Sequence, residues 1–413
     1  MEVIVYKDLL NQVNKEVVEI EPDDHCQVIS GVLSDALYLN IAGNNLKDQD
    51  LIERSYKLID YHLETAENYI LNYKWAHGIT GLGWMIAALC NNGLLSKDTL
   101  GEIDQLDEYI GKSLLYDFEI QSYDFSVGAL GKAHYFLERN NEIANSYLAE
   151  TVDYLNNSAI IYNENECFWF DYYTIEKPTD LLINFGLFHG HSSIVYFLSK
   201  IYNAGISVEK CENILNKSIN FLERIYNNYD QDIPNGLLFD EVNKTFKFYQ
   251  VDFDIQGWCH GLLSNALAFY IAGKTLRNNK WIEIFRSLIS KVCDFELEKV
   301  EFLNNNEPTF YLKDRNGRID TTFCHGLIGH IYMLDKIYKV MPEDCLKKSS
   351  KYWENILMEY SLPNKIIPKD YFYHKGMIAG KSGLGLYLMQ KLRMDTSILD
   401  KLFLLDLDSF AQK

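Results

Sequence analysis

Basic residues are in short supply: 39 Lys and Arg stand against 58 Asp and Glu, for a formal net charge of −19. That balance excludes a general nucleic-acid binder, because phosphate contacts need clustered cations. It suits a cationic partner. Proline is rarer still, with seven in 413 residues and no low-complexity linker, so the chain reads as one domain over 1–413. No run reaches the roughly 18 consecutive apolar residues of a membrane span. Residues 1–24 carry acidic groups from the first turns and lack the basic start and apolar run of a secretory signal. The chain is therefore expected to stay in the cytosol. Eight scattered cysteines do not make a disulfide framework. In a reducing compartment they are metal ligands, reactive thiols or buried apolar groups.

What is present is a globular composition, 47% hydrophobic and 23% charged, with ample material for a core. A signature also recurs: Gly, two residues, Gly or Ser, then an apolar stretch. It appears at Gly31-Val-Leu-Ser34, Gly78-Ile-Thr-Gly81, Gly128-Ala-Leu-Gly131, Gly190-His-Ser-Ser193, Gly261-Leu-Leu-Ser264, Gly326-Leu-Ile-Gly329 and Gly380-Lys-Ser-Gly383. The stretches that follow, such as Leu82–Leu89 and Ile194–Leu198, are apolar nearly all round, as buried helices are. Between them lie amphipathic helices. One covers 51–69, with Leu51, Ile52, Tyr56, Leu58, Ile59 and Leu63 on its apolar side; another covers Cys211–Tyr226. A repeat of one buried and one amphipathic helix forms either an open solenoid or a closed ring. Seven pairs with buried helices inside predict an all-α fold, an α/α toroid of seven inner and seven outer helices. Small residues at the inner-helix starts would let backbones approach where the ring narrows and leave N–H groups facing the mouth.

Longer spacings mark insertions. Within 236–256, two short runs around Asn243 predict a β-hairpin. Residues 309–322, around Asn316-Gly317, predict a second. Residues 168–174 read as a further extended piece.

Three repeat starts carry unusual residues: Gly257-Trp258-Cys259-His260-Gly261, Phe323-Cys324-His325-Gly326 and Gly186-Leu-Phe-His189-Gly190-His191. Both cysteines stand two residues before their repeat Gly, so a ring brings them to one mouth. Cys259, Cys324 and His325 offer two thiolates and an imidazole, a zinc set that leaves one position for water or substrate. The alternative is that the two cysteines are small buried apolar residues. His77 shares the register of His189 and His325 and reads as a packed or rim residue. His191 and His330 read as helix-start residues. Cys26, Cys90, Cys167, Cys211, Cys293 and Cys345 read as structural.

The Trp-Cys-His-Gly of 258–261, the Cys-His-Gly of 324–326 and the His-Gly of 189–190 resemble the lanthionine synthetase C family, the cyclases of lantibiotic biosynthesis. The resemblance covers nearly the whole chain, since that family also has seven glycine-marked repeats in an α/α toroid. It implies Zn²⁺ held by Cys259, Cys324 and His325. It implies that cysteine thiols of a dehydrated precursor peptide add to dehydroalanine or dehydrobutyrine, closing thioether rings. It also implies a catalytic histidine at His189 and a carboxylate at Asp124. A dehydratase and an ABC exporter follow as partners, with the cytoplasmic protein held peripherally at the membrane through them. The sequence departs from the family in lacking an Arg before Trp258, where Asp254, Ile255, Gln256 and Gly257 stand, and in having His260 where a Tyr is expected.

Other readings separate on chemistry. Eukaryotic relatives in the same family bind glutathione and add it to dehydroamino acids. A zinc-containing scaffold of a synthetase complex would be fully protein-ligated. Protein prenyltransferase β subunits use Asp, Cys and His ligands, and toroidal glycosidases need paired carboxylates at the mouth.

Overall fold

The computed structural model describes residues 2–171, 181–249, 254–255, 257–295, 310–311, 320–361 and 375–411. Seven buried helices make the inner ring: Val32–Leu46, Ile79–Asn91, Ala129–Arg139, His191–Asn203, Leu262–Thr275, Leu327–Val340 and Lys381–Lys391. Each begins one residue after a repeat glycine, which is its N-cap. Their side chains are buried on almost every face, which is why they carry no amphipathic stripe.

The small residues have a more local reason than ring taper. A Cβ on Gly329 would sit 1.8 Å from the carbonyl oxygen of Phe323, in the loop that leads into the same helix. That loop also takes up the first helical N–H groups. Ile79 donates to Asn72, Ala129 to Ser122 and Leu327 to Asp320, each at 2.9 Å. The helix starts are thus sealed by their own loops rather than left open to the mouth.

Seven longer-range partners form the outer layer: Glu2–Val18, Gln49–Glu64, Asp104–Glu119, Glu142–Ser158, Val208–Asn228, Asn279–Cys293 and Asp344–Ile356. The helix Glu2–Val18 packs on the last inner helix, Lys381–Lys391, so the two chain ends close the ring. Tyr38 seals that seam by donating to Asn14 Oδ1 at 2.6 Å. The expected stripe on Gln49–Glu64 needs one correction. Leu63 is exposed, and His62 takes the buried place with its Nδ1 2.8 Å from the Leu58 carbonyl oxygen.

The first expected hairpin is present. Gly236–Asp240 pairs antiparallel with Thr245–Phe248, and Leu181–Asn184 adds a third strand on the other side. Asp240 Oδ1 holds the turn by accepting from the Val242 and Asn243 N–H groups at 3.0 Å. The second expected hairpin falls largely on 312–319, outside the described residues. Phe310–Tyr311 pairs in parallel with Asp254–Ile255. Of the extended piece, Phe168 ends the strand Glu166–Phe168, which pairs with Ile160–Asn163, while 172–174 lie outside the described residues.

Backbone bonds stitch the repeat starts into a rim, always onto the carbonyl two residues before a repeat Gly. Val28 donates to Ala76 at 3.2 Å, Ala76 to Ser126 at 2.8 Å and Phe188 to Cys259 at 3.4 Å. Trp258 and Cys259 donate to Cys324 at 2.9 and 3.3 Å, Cys324 to Ile378 at 3.0 Å, and Met377 and Ile378 to Ile29, both at 3.1 Å. Among the described residues no backbone bond joins Ser126 to Phe188, between the third and fourth repeats. Below the rim, the residue three before each Gly (Val28, Trp75, Phe125, Leu187, Trp258, Phe323, Met377) is buried to 1% exposure or less. The C-terminal segment lies against this collar from the far side. The Phe403 carbonyl accepts the Trp258 indole N–H at 2.7 Å, and Asp406 accepts from Tyr196 and Lys200, both at 2.7 Å. Among the described residues no helix is long and apolar enough to cross a membrane.

Candidate metal centre

The fifth and sixth repeat starts lie backbone to backbone. A Cβ on Gly257 would stand 2.3 Å from the Cys324 carbonyl oxygen, so only glycine permits this approach. The Trp258 and Cys259 N–H groups then reach that same carbonyl. As a result the sulfurs of Cys259 and Cys324 and a ring nitrogen of His325 all lie within 4.8 Å of one another. Cys324 Sγ and His325 Nε2 are 3.5 Å apart.

Protons in this cluster are shared. Burial, and then the neighbouring sulfur of Cys324, push the Cys259 thiol well up. The hydrogen bond from Cys259, followed by the charge of His325, holds Cys324 well below the usual thiol range. Burial opposes charge on His325, but the Cys324 thiolate outweighs it and lifts the imidazole to about 9. The arrangement is one thiolate stabilised by one thiol and one imidazolium, two protons that a divalent cation can displace. Soft sulfur and imidazole donors at this separation fit zinc.

His189 approaches from the fourth repeat. Its Nδ1 is 2.5 Å from Asp124 Oδ2, and Asp124 Oδ1 accepts from the Val127 N–H at 2.8 Å. This pair bridges the third and fourth repeats at the step where the backbone rim has no rung. Burial works against a charged His189, but the charge and hydrogen bond of Asp124 prevail and raise its pKa, with Cys324 and Asp171 adding to the effect. His189 packs edge-on to Phe188 and stacks with His260 at a centroid separation of 5.7 Å. His260 faces Gly186, where an added Cβ would meet its Nδ1 at 2.5 Å. Burial, and then the charges of His189 and His325, drive His260 down to about 3, so it is neutral.

The other residues singled out from sequence lie elsewhere. His77 is half-buried and lines a separate cavity with Cys26 and Asn72. His191 lines the cavity beside His189, but its Nε2 is taken up 2.7 Å from the Ser218 hydroxyl, and His330 is buried edge-on to Trp353. Cys293 and Cys345 prove to be neighbours across two outer helices, each within hydrogen-bonding reach of the other. Sequence reasoning missed Asp171. Its carboxylate accepts from Asn184 Nδ2 at 2.9 Å and shares with His189 and Asp124 a small cavity of about 30 Å³. It belongs to the insertion after Glu142–Ser158, outside the repeat register, so nothing in the spacing marks it.

A closed ring of helix pairs, with a thiol–imidazole cluster and a carboxylate-held histidine at one mouth, defines an α/α toroid with a candidate metal centre on its rim. The chain belongs to the lanthionine synthetase C-like protein family, which it matches over residues 4–404. Among curated proteins it is similar to the nisin biosynthesis protein NisC of Lactococcus lactis subsp. lactis, 20% identical over 370 residues, which is 83% of this chain and 81% of that one. Among solved structures a nisin cyclase superposes with a TM-score of 0.71 at 17% identity, covering 98% of this chain and 97% of the other.

Proposed function

We propose that this protein is a zinc-dependent peptide cyclase that adds cysteine thiols to dehydroalanine or dehydrobutyrine within a dehydrated precursor peptide. The observation that carries this reading is the meeting of the Cys259–Cys324–His325 donor set with the Asp124–His189 pair at one mouth. Residues 1–413 are taken as one domain, since every repeat contributes to the same rim.

Zinc held by Cys259, Cys324 and His325 would keep the substrate sulfur deprotonated near neutral pH, where a free thiol of pKa about 8.5 is mostly protonated. Asp124 takes the Nδ1 side of His189, which leaves Nε2 to exchange a proton with substrate. The thiol sulfur bonds to Cβ of the dehydroamino acid, and the carbon–carbon double bond becomes an enolate. His189 returns the proton to Cα, or accepts the one the thiol sheds, so that no atom is gained or lost. Asp124 keeps the ring oriented and favours its charged form. The dehydratase and exporter are further partners under this reading, with the protein in the cytoplasm.

Cyclisation leaves mass unchanged, so the test counts free thiols. A dehydrated precursor is incubated with zinc-loaded and with zinc-stripped protein, then alkylated and weighed. The expected result is one fewer alkyl label per ring, only with the loaded protein. Equal labelling in both would overturn the proposal. Adducts heavier by glutathione, when glutathione is supplied, would favour the glutathione-adding alternative.

A further inference from the structure

We infer that Asp35, buried at the start of the first inner helix, is a positioning residue for the metal centre. The inference rests on the metal reading above. Asp35 is 1% exposed and ties the first repeat to the seventh. Its Oδ1 and Oδ2 accept the Gly376 N–H at 3.0 and 3.1 Å, and its Oδ1 also accepts the Ser382 hydroxyl. Beside it, Ser34 Oγ accepts the Met377 N–H at 3.0 Å. These bonds fix 376–378 against the first helix. Ile378 is the residue whose carbonyl receives the Cys324 N–H at 3.0 Å, and the Cys324 carbonyl in turn receives the Trp258 and Cys259 N–H groups.

The path from Asp35 to both sulfur donors is therefore one anchored turn and two backbone rungs. The same segment is also held by the Met377 and Ile378 N–H groups, which both donate to the Ile29 carbonyl at 3.1 Å, so Asp35 reinforces that rung from the side of Gly376. The Cys324 sulfur itself meets Cys259 and His325, the other donors. A ring closed elsewhere by helix packing alone would keep its fold but let Ile378 shift, and Cys324 Sγ would shift with it. A metal set loses affinity steeply when the groups that orient its ligands are lost, by about 10–100-fold.

The test uses the full chain and cobalt(II), read by its thiolate charge-transfer absorption. Asp35→Ala should weaken cobalt binding by about 10–100-fold and alter the band. Asp35→Asn should restore near-normal binding, because its amide oxygen still accepts from Gly376 and its N–H donates to Ser382 Oγ. Leu58→Ala serves as the control for stability alone. Leu58 is a buried residue of the outer helix Gln49–Glu64, 1% exposed, and its side chain makes none of the rim bonds, so its loss should lower Tm without moving cobalt affinity. Equal weakening in Leu58→Ala and Asp35→Ala at matched loss of Tm would overturn the inference, as would unaltered cobalt binding by Asp35→Ala. If Asp35→Ala does not fold, Ser34→Ala replaces it. That variant removes one of the two acceptors of the Met377 N–H and leaves the Ile29 carbonyl; it should weaken binding less but beyond the Leu58→Ala control, and binding equal to that control overturns the inference. Wild-type protein that takes up no cobalt would overturn the metal reading itself, and this inference with it.

Discussion

Replacing Asp124 with Asn keeps the shape of the side chain and removes its charge. The side chains concerned are nearly enclosed, Asp124 at 3% and His189 at 16% exposure, and their contact is 2.5 Å. Asp124 is what lifts His189 against its burial. Without that charge burial prevails, and the imidazole holds its proton only at lower pH. If His189 delivers the proton to Cα, the rate requires the imidazolium and falls as pH rises through its pKa. Asp124→Asn should therefore move that fall to lower pH and leave little activity at neutrality. His189→Ala removes the group altogether. A positioned general acid or base is typically worth about 10²–10⁴-fold, which is about 3–5 kcal/mol of barrier. Both variants should keep their zinc, because neither residue is among the converging donors. The assay is the initial rate of thiol loss on a dehydrated peptide across pH 5–9, with metal content measured alongside. A pH profile unmoved by Asp124→Asn would refute the coupling of the two groups. Loss of zinc from His189→Ala would make it a ligand and refute its assigned role.

Three further outcomes follow from the same geometry. Cys324→Ala should lose zinc and all cyclisation, since it removes the lower-pKa sulfur of the pair; metal analysis beside thiol counting checks it. Gly257→Ala should force the fifth and sixth repeat starts apart, because its Cβ would stand 2.3 Å from the Cys324 carbonyl oxygen; a cost of about 1–3 kcal/mol, seen as a lower Tm, should accompany weaker metal binding. Burial raises Asp35 to about 7, against the opposing bonds from Ser382 and Gly376 and the charge of Lys375. A raised folded pKa makes its stabilising contribution complete below the unfolded value and lost as pH rises through about 7. Relative to Asp35→Asn, the wild type should thus lose about 2–4 kcal/mol between pH 4 and 8, measurable by denaturant titration at each pH.

The inner ring was legible because its signal is local. In the second, third and sixth repeats the Gly and the Gly three positions on are both demanded by a loop only six residues away, so the pattern recurs from copy to copy. The cluster was legible for the same reason, since Cys259 and Cys324 occupy one register position. The apolar collar was equally available, three residues before each Gly, but a large residue beside a Gly marks any buried turn. What stayed hidden depends on distant pieces meeting. Nothing in Glu2–Val18 says that it packs on Lys381–Lys391, and nothing in 403–410 says that this segment lies beneath Trp258. Asp171 sits in an insertion that has no counterpart in the other repeats. Leu63 and His62 exchanged roles because the helix Gln49–Glu64 turns His62 toward Leu58 near its C-terminal end, where a donor finds a carbonyl.

The collar and the C-terminal segment together give the toroid a floor. Trp258 and Phe323 face Phe403 at ring separations of 5.0 and 4.3 Å, and the indole N–H is bonded to that residue's backbone. A ring with a floor is a bowl, not a tunnel, so a peptide cannot be drawn through it from end to end. Under the proposed cyclase reading, a substrate chain would dip a bend into the bowl, react, and withdraw by the way it came. A dipping bend costs little for residues close in sequence and more as the span grows, by about 0.6 kcal/mol for each doubling of length. Blind geometry of this kind favours short thioether bridges. Under the same reading it would also let a peptide leave after each one, so that successive rings would be separate visits rather than steps of a single passage.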